Sequence, residues 1–149
     1  MKIHWALALA LTACVDDYEL SPPPHQVYRG DLPEKDWAHA QAAIDAWNEV
    51  VGEKVLVARD EARGSGECGV ELRIWQGGRH PLGSTELGGC VIVVRYLAGV
   101  AECVMAHELG HVQGLLDVPQ TTSVMCGRGC DHSPPTAEDG ALVRARWGW

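Results

Sequence analysis

The sequence predicts an α+β domain in which a small, mixed, twisted β-sheet packs on two long helices. Three observations lead to this prediction. Residues 34–51 carry apolar side chains at helical spacing, and residues 97–113 do so again. Between them lie three short runs with the composition of strands, at 54–58, 70–75 and 90–95. A shorter helix near the carboxyl end completes the expected order of elements.

The first helix is predicted from a stripe of apolar residues spaced three or four apart. The stripe consists of Trp37, Ala40, Ile44, Trp47 and Val51. Residues at this spacing lie on one face of a helix, so the helix is expected to bury that face against the sheet. Gly52 is expected to end it.

The strands are predicted from three different patterns. Residues 54–58 form a short apolar run, and residues 70–75 alternate apolar and polar side chains as a half-buried strand does. Residues 90–95 are the most β-prone run of the chain. The glycine-rich segments 60–69 and 76–89 are predicted to be loops.

The second long helix contains the run around which the chain is organised, AHELGHVQGLLD at residues 106–117. His107 and His111 stand four residues apart, so both imidazoles project from one helix face and can reach one metal ion. Glu108 is offset from His107 by about 100°. It is therefore placed to act on a water molecule at the metal as a general base rather than to bind as an equal ligand.

The third ligand is expected after the helix ends. Gly114 permits a turn with positive φ that folds the chain back toward the metal, and this turn would bring Asp117 to the ion. Asp117 could instead be an ordinary turn residue. In that case the third ligand would be His132, Asp131 or the more distant Glu138.

The run HELGHVQGLLD resembles the signature of the metzincin metalloproteases, H-E-x-x-H-x-x-G-x-x-H followed by a turn that contains methionine. Asp117 stands where most of that family has a third histidine, and in this respect the chain looks like the snapalysin-like bacterial proteases. Met125 lies eight residues further on, where the family has its Met-turn. The resemblance is close over residues 100–125 and extends elsewhere only to the order of elements.

The resemblance implies a zincin fold with an active-site helix, a Met-turn and a C-terminal helix. It also implies one catalytic Zn²⁺ held by His107, His111 and Asp117, with Met125 beneath it and Glu108 as general base. The expected activity is hydrolysis of peptide bonds in a peptide or protein substrate, with the strand at 90–95 beside the cleft and able to pair with an extended substrate.

Two other functions are compatible with the same motif. One is a catalytically silent surface lipoprotein that binds a partner, although an intact Glu108 argues against it. The other is a zinc amidase that acts on cell-wall peptides.

The last helix is predicted over residues 141–147, after a proline-containing start. Thr136 has the position of an N-cap, and Asp139 stands at N3 like the acid of a shortened capping box.

The amino-terminal segment reads as a bacterial export signal. Lys2 supplies a positive charge, and residues 3–11 form an apolar run too short to span a bilayer. The following Leu-Thr-Ala-Cys resembles a lipobox, which implies cleavage before Cys14 and lipidation of that cysteine. An ordinary signal cut near Ala13, with secretion of the protein, is the alternative.

The expected domain organisation is therefore a signal peptide at 1–13, a proline-rich tether at 14–32 and a catalytic domain at 33–149. Removal of the signal leaves 149 − 13 = 136 residues, which suits a single core and a monomer. We expect export and anchoring to the cell envelope, with the outer membrane favoured because Val15 rather than aspartate follows the cysteine.

The charge balance restricts the partners. The chain has 12 basic and 20 acidic residues and a formal net charge of −8. This balance excludes nucleic acid as an expected partner. Without a basic patch, attachment to a membrane would depend on the N-terminal lipid anchor alone.

Five cysteines remain when the lipobox cysteine is set aside, so at most two disulfides can form within one chain. One expected arrangement pairs Cys126 with Cys130 and Cys68 with Cys90, which leaves Cys103 buried and free. A Cys90–Cys103 pair is nearly as plausible, and sequence alone does not determine the connectivity. A structural zinc site is disfavoured, because paired C-x-x-C spacing is missing.

Overall fold

The computed structural model describes residues 21–74, 83–88, 91–96, 102–120, 122–127 and 134–149. Over these residues the chain forms a five-stranded sheet and three helices. The elements in chain order are β1 (His25–Tyr28), α1 (Glu34–Val51), β2 (Leu56–Arg59), β3 (Gly69–Ile74), β4 (Gly83–Gly88), β5 (Val91–Tyr96), α2 (Glu102–Val112) and α3 (Ala137–Trp147).

The sheet has the strand order β2-β1-β3-β5-β4. Neighbouring strands from β2 to β5 run parallel, and β4 is antiparallel to β5 at the edge. Helix α1 connects β1 to its parallel neighbour β2, as a parallel pair requires, because a tight turn cannot join two strands of the same direction. The architecture is therefore a mixed, mostly parallel sheet with packed helices, which is consistent with the predicted α+β class.

Helix α1 has the bounds that the apolar stripe predicts. All five stripe residues are buried, together with Ala43, and they belong to the main hydrophobic core. Gly52 ends the helix in the left-handed region at φ 79°, and its N–H donates to the carbonyl of Asn48. Glycine is suited to this position because it lacks the Cβ that disfavours positive φ.

Strand β1 corrects the predicted boundary of the tether. Residues 25–28 fall within the segment expected to hold the domain away from the membrane, but they pair with β2 on one side and β3 on the other. Val27 is fully buried and Leu32 nearly so. A four-residue strand beside a proline run has no distinct local pattern, and its burial depends on strands that are distant in sequence.

Strand β4 corrects the prediction of a loop at 76–89, and it also changes the interpretation of β5. Strand β5 lies inside the sheet between β3 and β4, so its backbone hydrogen-bonding groups are occupied on both sides. The expectation that this strand pairs with an extended substrate is therefore wrong. Strand β4 lies at the edge of the sheet beside β5. Its sequence, Gly-Ser-Thr-Glu-Leu-Gly, is only weakly β-prone, and this segment forms a strand because it pairs with β5.

The other two helices pack through α1. The indole Nε1 of Trp47 donates to the carbonyl of Ala106 at 2.8 Å, which joins α1 to α2. Helix α3 begins at Ala137, directly after the predicted N-cap Thr136, and Thr136 and Asp139 form the expected capping box. The guanidinium of Arg144 donates to the carbonyls of Val50 and Val51, the last residues of α1.

The predicted signal segment and Cys14 lie outside the described residues. In the part of the chain that is described, none of the helices combines the length and the apolar character needed to cross a membrane.

The cysteines differ from the expected arrangement. Cys126 carries a free thiol that is buried, so the predicted Cys126–Cys130 bridge is wrong. The backbone at Cys126 is held in a bridge with Val118, and its side chain is only 7% exposed. Cys103, expected to be free, is disulfide-bonded, as is Cys68. Cys90 and Cys130 lie outside the described residues, so the Cys68–Cys90 pair stays a prediction.

Burial of His25 predicts that stability depends on pH. This side chain is 7% exposed beside the ring of Trp147, and desolvation lowers the pKa of its imidazole below 6.5. The unfolded chain therefore binds a proton at a higher pH than the folded protein does. The stabilisation by a neutral His25 is complete above about pH 6.5 and is lost as the pH falls toward the lowered folded-state pKa.

Urea unfolding at a series of pH values between 8 and 5, roughly the range of histidine titration, tests this prediction. We expect His25→Leu to flatten the decline of the unfolding free energy over this interval. The control His39→Gln should retain it. An equally steep decline in His25→Leu would contradict the assignment.

Candidate metal centre

The centre of the site is the pair of histidines that α2 presents from adjacent turns. His107 and His111 lie on one face, and their Nε2 atoms are 3.2 Å apart. Both side chains are partly exposed, at 17% and 25%, so the pair faces a surface from which an ion and a substrate can approach.

The second nitrogen of each ring determines the tautomer. Nδ1 of His107 lies 2.8 Å from the carbonyl of Val124, and Nδ1 of His111 lies 2.8 Å from the carbonyl of Leu115. A carbonyl oxygen only accepts, so each Nδ1 must carry the proton and donate it. In the neutral ring, Nε2 then has a free lone pair. Both imidazoles are therefore oriented by main-chain carbonyls.

Asp117 completes a triangle of acceptor atoms. Its Oδ1 is 3.2 Å from Nε2 of His107 and 3.3 Å from Nε2 of His111. These three groups form the cluster that could hold a metal ion within the described residues. Of the predicted third ligands that the structure describes, Asp117 is the one that the fold brings to the histidines.

The other candidates for third ligand do not occupy this position in the described part of the chain. Glu138 is exposed in the first turn of α3 and does not belong to the cluster. His132 and Asp131 lie outside the described residues.

The segment after α2 is folded back as the glycine predicts. Gly114 adopts φ 82°, and the next residue, Leu115, donates its N–H to the carbonyl of Gly110 at 3.1 Å while its own carbonyl accepts from His111. Val118 then bridges to Cys126, and its N–H donates to the carbonyl of Met125 at 2.9 Å. Asp117 is thereby held between Leu115 and Val118, whose main-chain groups are both hydrogen-bonded to other parts of the site.

Met125 lies against the backbone of α2 between the two histidines. A Cβ added at Gly110 would overlap the sulfur of Met125 and would come within 2.9 Å of Trp47. Met125 is fully buried. Glycine at position 110 therefore allows the thioether of Met125 and the indole of Trp47 to pack directly against the backbone of α2.

Asp139 connects α3 to the segment beneath the site. Its carboxylate, 1% exposed, accepts from Ser123 Oγ at 2.5 Å and from the N–H of Val124 at 3.2 Å. It also accepts from the N–H and the hydroxyl of Thr136 at 2.8 and 2.9 Å. Because the carbonyl of Val124 accepts from His107, Asp139 is two hydrogen bonds from a candidate ligand.

The side chain of Glu108 is buried, whereas those of His107 and His111 are partly exposed. It is 5% exposed, and its Oε2 accepts from the hydroxyl of Thr85 at 2.6 Å. Strand β4 supplies this contact, so the edge of the sheet borders the candidate base.

The donor set fits a zinc ion. Two unprotonated imidazole nitrogens and a carboxylate oxygen are all acceptors, and acceptors 3.2–3.3 Å apart repel one another unless a proton or a cation lies between them. Tetrahedral zinc with bonds of about 2.0–2.1 Å separates its ligands by about 3.3 Å. The observed triangle therefore matches the spacing that an ion of this size would require of three ligands within the described residues.

Sequence reasoning misses the residues that support this site from elsewhere in the chain. Thr85 lies in a segment predicted to be a loop, and Trp47 is predicted only as a core residue. Asp139 is predicted as a helix cap, but its contact with residues 123–124 is not. None of these contacts has a local sequence signal, since the partners are 15 to 59 positions apart.

No protein-family model matches this chain, and no match was found among the curated proteins. The interpretation of the site therefore depends on its own geometry.

Proposed function

We propose that the chain is a zinc-dependent endopeptidase of metzincin type. The observation that supports this most directly is the triangle of Nε2, Nε2 and Oδ1 acceptors, in which both rings are fixed by backbone carbonyls. The resemblance of the motif to the metzincin signature and the position of Met125 against the helix support the same proposal. Glu108 next to the first ligand supplies the base that hydrolysis needs.

In this proposal His107, His111 and Asp117 hold the ion. Bound zinc would supply Lewis-acid chemistry, which polarises the scissile carbonyl and makes water a stronger nucleophile at neutral pH. The three ligand side chains contribute one negative charge from Asp117, which offsets part of the charge of the cation. Donation from each Nδ1 to a carbonyl keeps the rings oriented and makes each Nε2 a better electron donor.

Glu108 performs the proton transfers. Its carboxylate accepts a proton as water attacks the peptide carbonyl and returns that proton to the departing amine. Its burial excludes bulk water from the carboxylate, and its place one residue after His107 keeps it close to the ion.

The location of the enzyme belongs to the same proposal. The lipobox-like segment supports export from a bacterial cell and attachment to the envelope through lipid at Cys14. The tether between the lipid and the domain would then be shorter than the predicted residues 14–32, because residues 25–28 of that segment form β1 of the sheet.

Zinc titration and peptide cleavage together test the function. Wild-type protein stripped with a chelator is expected to bind one zinc ion and to regain cleavage of a peptide library when zinc returns. Asp117→Ala should weaken zinc binding by more than roughly 10–100-fold, which is the usual cost of losing a group that only hydrogen-bonds to a metal ligand. The matched control Asp45→Ala, at an exposed position of α1, should bind as wild type does.

Two results would contradict the proposal. One is wild-type protein that holds no stoichiometric zinc. The other is zinc-loaded wild type that releases no new amino termini from any peptide.

A further inference from the structure

Strand β4 contacts the candidate base through two residues that share one face. Gly83 and Thr85 are two positions apart, so both point toward the same side of the strand. On that side lies Glu108 of α2. The hydroxyl of Thr85 is 2.6 Å from Oε2 and 3.2 Å from the main-chain carbonyl of Glu108.

The first of these contacts has the length of a hydrogen bond to a charged acceptor. Hydroxyl-to-carboxylate bonds typically span about 2.5–2.7 Å. A carboxylate that is 5% exposed has lost most of its hydration and needs a protein donor in its place. Within the described residues, Thr85 supplies that donor.

Gly83 makes the close approach possible. A Cβ at this position would lie 2.6 Å from Oε1 and 2.7 Å from Cγ of Glu108. Such contacts are too short for any side chain, so the carboxylate rests directly on the backbone of the edge strand. The orientation of the carboxylate is thus restricted by a hydrogen bond on Oε2 and by the strand surface beside Oε1.

We propose that Thr85 is a positioning residue for the hydrolysis, acting through Glu108. Its hydroxyl engages Oε2 and, together with the surface of β4 beside Oε1, holds the carboxylate in one orientation for the proton transfer from the attacking water. This inference deepens the proposed function and rests on it. Thr85 need not touch the substrate or the ion.

Two substitutions at Thr85 distinguish the effect of losing its hydroxyl from the effect of changing the size of its side chain. Thr85→Val keeps the shape and removes the donor, whereas Thr85→Ser keeps the donor. We expect Thr85→Val to lower kcat by about 10–100-fold, the usual loss when a reacting group is slightly misplaced, with KM unchanged. Thr85→Ser should restore most of kcat, and Thr122→Val, at an exposed position, should behave as wild type.

A measurement without turnover tests the contact itself. In zinc-free protein, Thr85→Val is expected to lower the urea midpoint by more in the wild-type background than in the Glu108→Ala background, where only the main-chain acceptor of residue 108 remains for the hydroxyl. The difference between the two shifts reports the interaction of this pair. Zinc affinity should be equal in Thr85→Val and wild type, because neither Thr85 nor Glu108 belongs to the ligand cluster.

The outcomes distinguish this inference from the function on which it rests. Wild type that cleaves peptides, together with a Thr85→Val variant of equal kcat, overturns the role of Thr85 and leaves the endopeptidase intact. Equal midpoint shifts in both backgrounds also overturn it. A zinc-loaded wild type that cleaves nothing overturns the function, and the positioning role fails with it.

Discussion

Replacing Glu108 with alanine is expected to lower kcat for peptide cleavage by about 10²–10⁴-fold, the usual contribution of a general base. The three acceptor atoms of the centre belong to His107, His111 and Asp117, so the variant should still bind one zinc ion. Single-turnover cleavage with zinc-loaded protein, combined with zinc titration, measures both quantities.

A matched control is available on α3. Glu138→Ala removes a carboxylate that is exposed and outside the cluster, and it should leave kcat as in wild type. Full activity in Glu108→Ala would remove Glu108 as the base. Loss of zinc from that variant would mean instead that the carboxylate supports the metal.

Replacing Asp139 with asparagine is expected to impair both the stability of the protein and the affinity of the site for zinc. Asparagine keeps the size of the side chain but exchanges one acceptor oxygen for a donor, so it cannot accept all four hydrogen bonds that Asp139 accepts from Ser123, Val124 and Thr136. Leaving buried donors unpaired should reduce the unfolding free energy by about 2–4 kcal/mol. Because Val124 also orients His107, zinc affinity should fall by about 10–100-fold.

The two contributions of Asp139 can be separated. Thr136→Ala removes the cap of α3 but retains the bonds from Ser123 and Val124 to Asp139. It should therefore lower the unfolding free energy and leave the zinc dissociation constant unchanged. If Asp139→Asn likewise destabilises the protein without changing zinc affinity, then Asp139 is a helix cap alone.

The local elements follow from the sequence where a periodic pattern is long enough to be unambiguous. Helix α1 is predicted to the residue, because five apolar positions at helical spacing can be buried together only by a helix. The capping box at Thr136 and Asp139 and the positive φ of Gly114 are also local properties of a few neighbouring residues. Strands β1 and β4 are missed because they are short and are stabilised by partners elsewhere in the chain.

The cysteines illustrate the same limit. Whether two thiols pair depends on the distance between their Cβ atoms, which sequence spacing does not determine. Cys126 is close to Cys130 along the chain, yet its thiol is free and buried, and Cys103 takes part in a disulfide.

For the site, the sequence by itself determined the pair of rings and the glutamate, because helical geometry fixes how residues four apart are placed. It left several candidates for the third ligand. Only the tertiary structure decided among the described ones, since the position of Asp117 depends on the bridge between Val118 and Cys126. The contacts of Thr85, Trp47 and Asp139 were likewise decided in three dimensions, because each joins segments that meet only when the sheet and helices pack together.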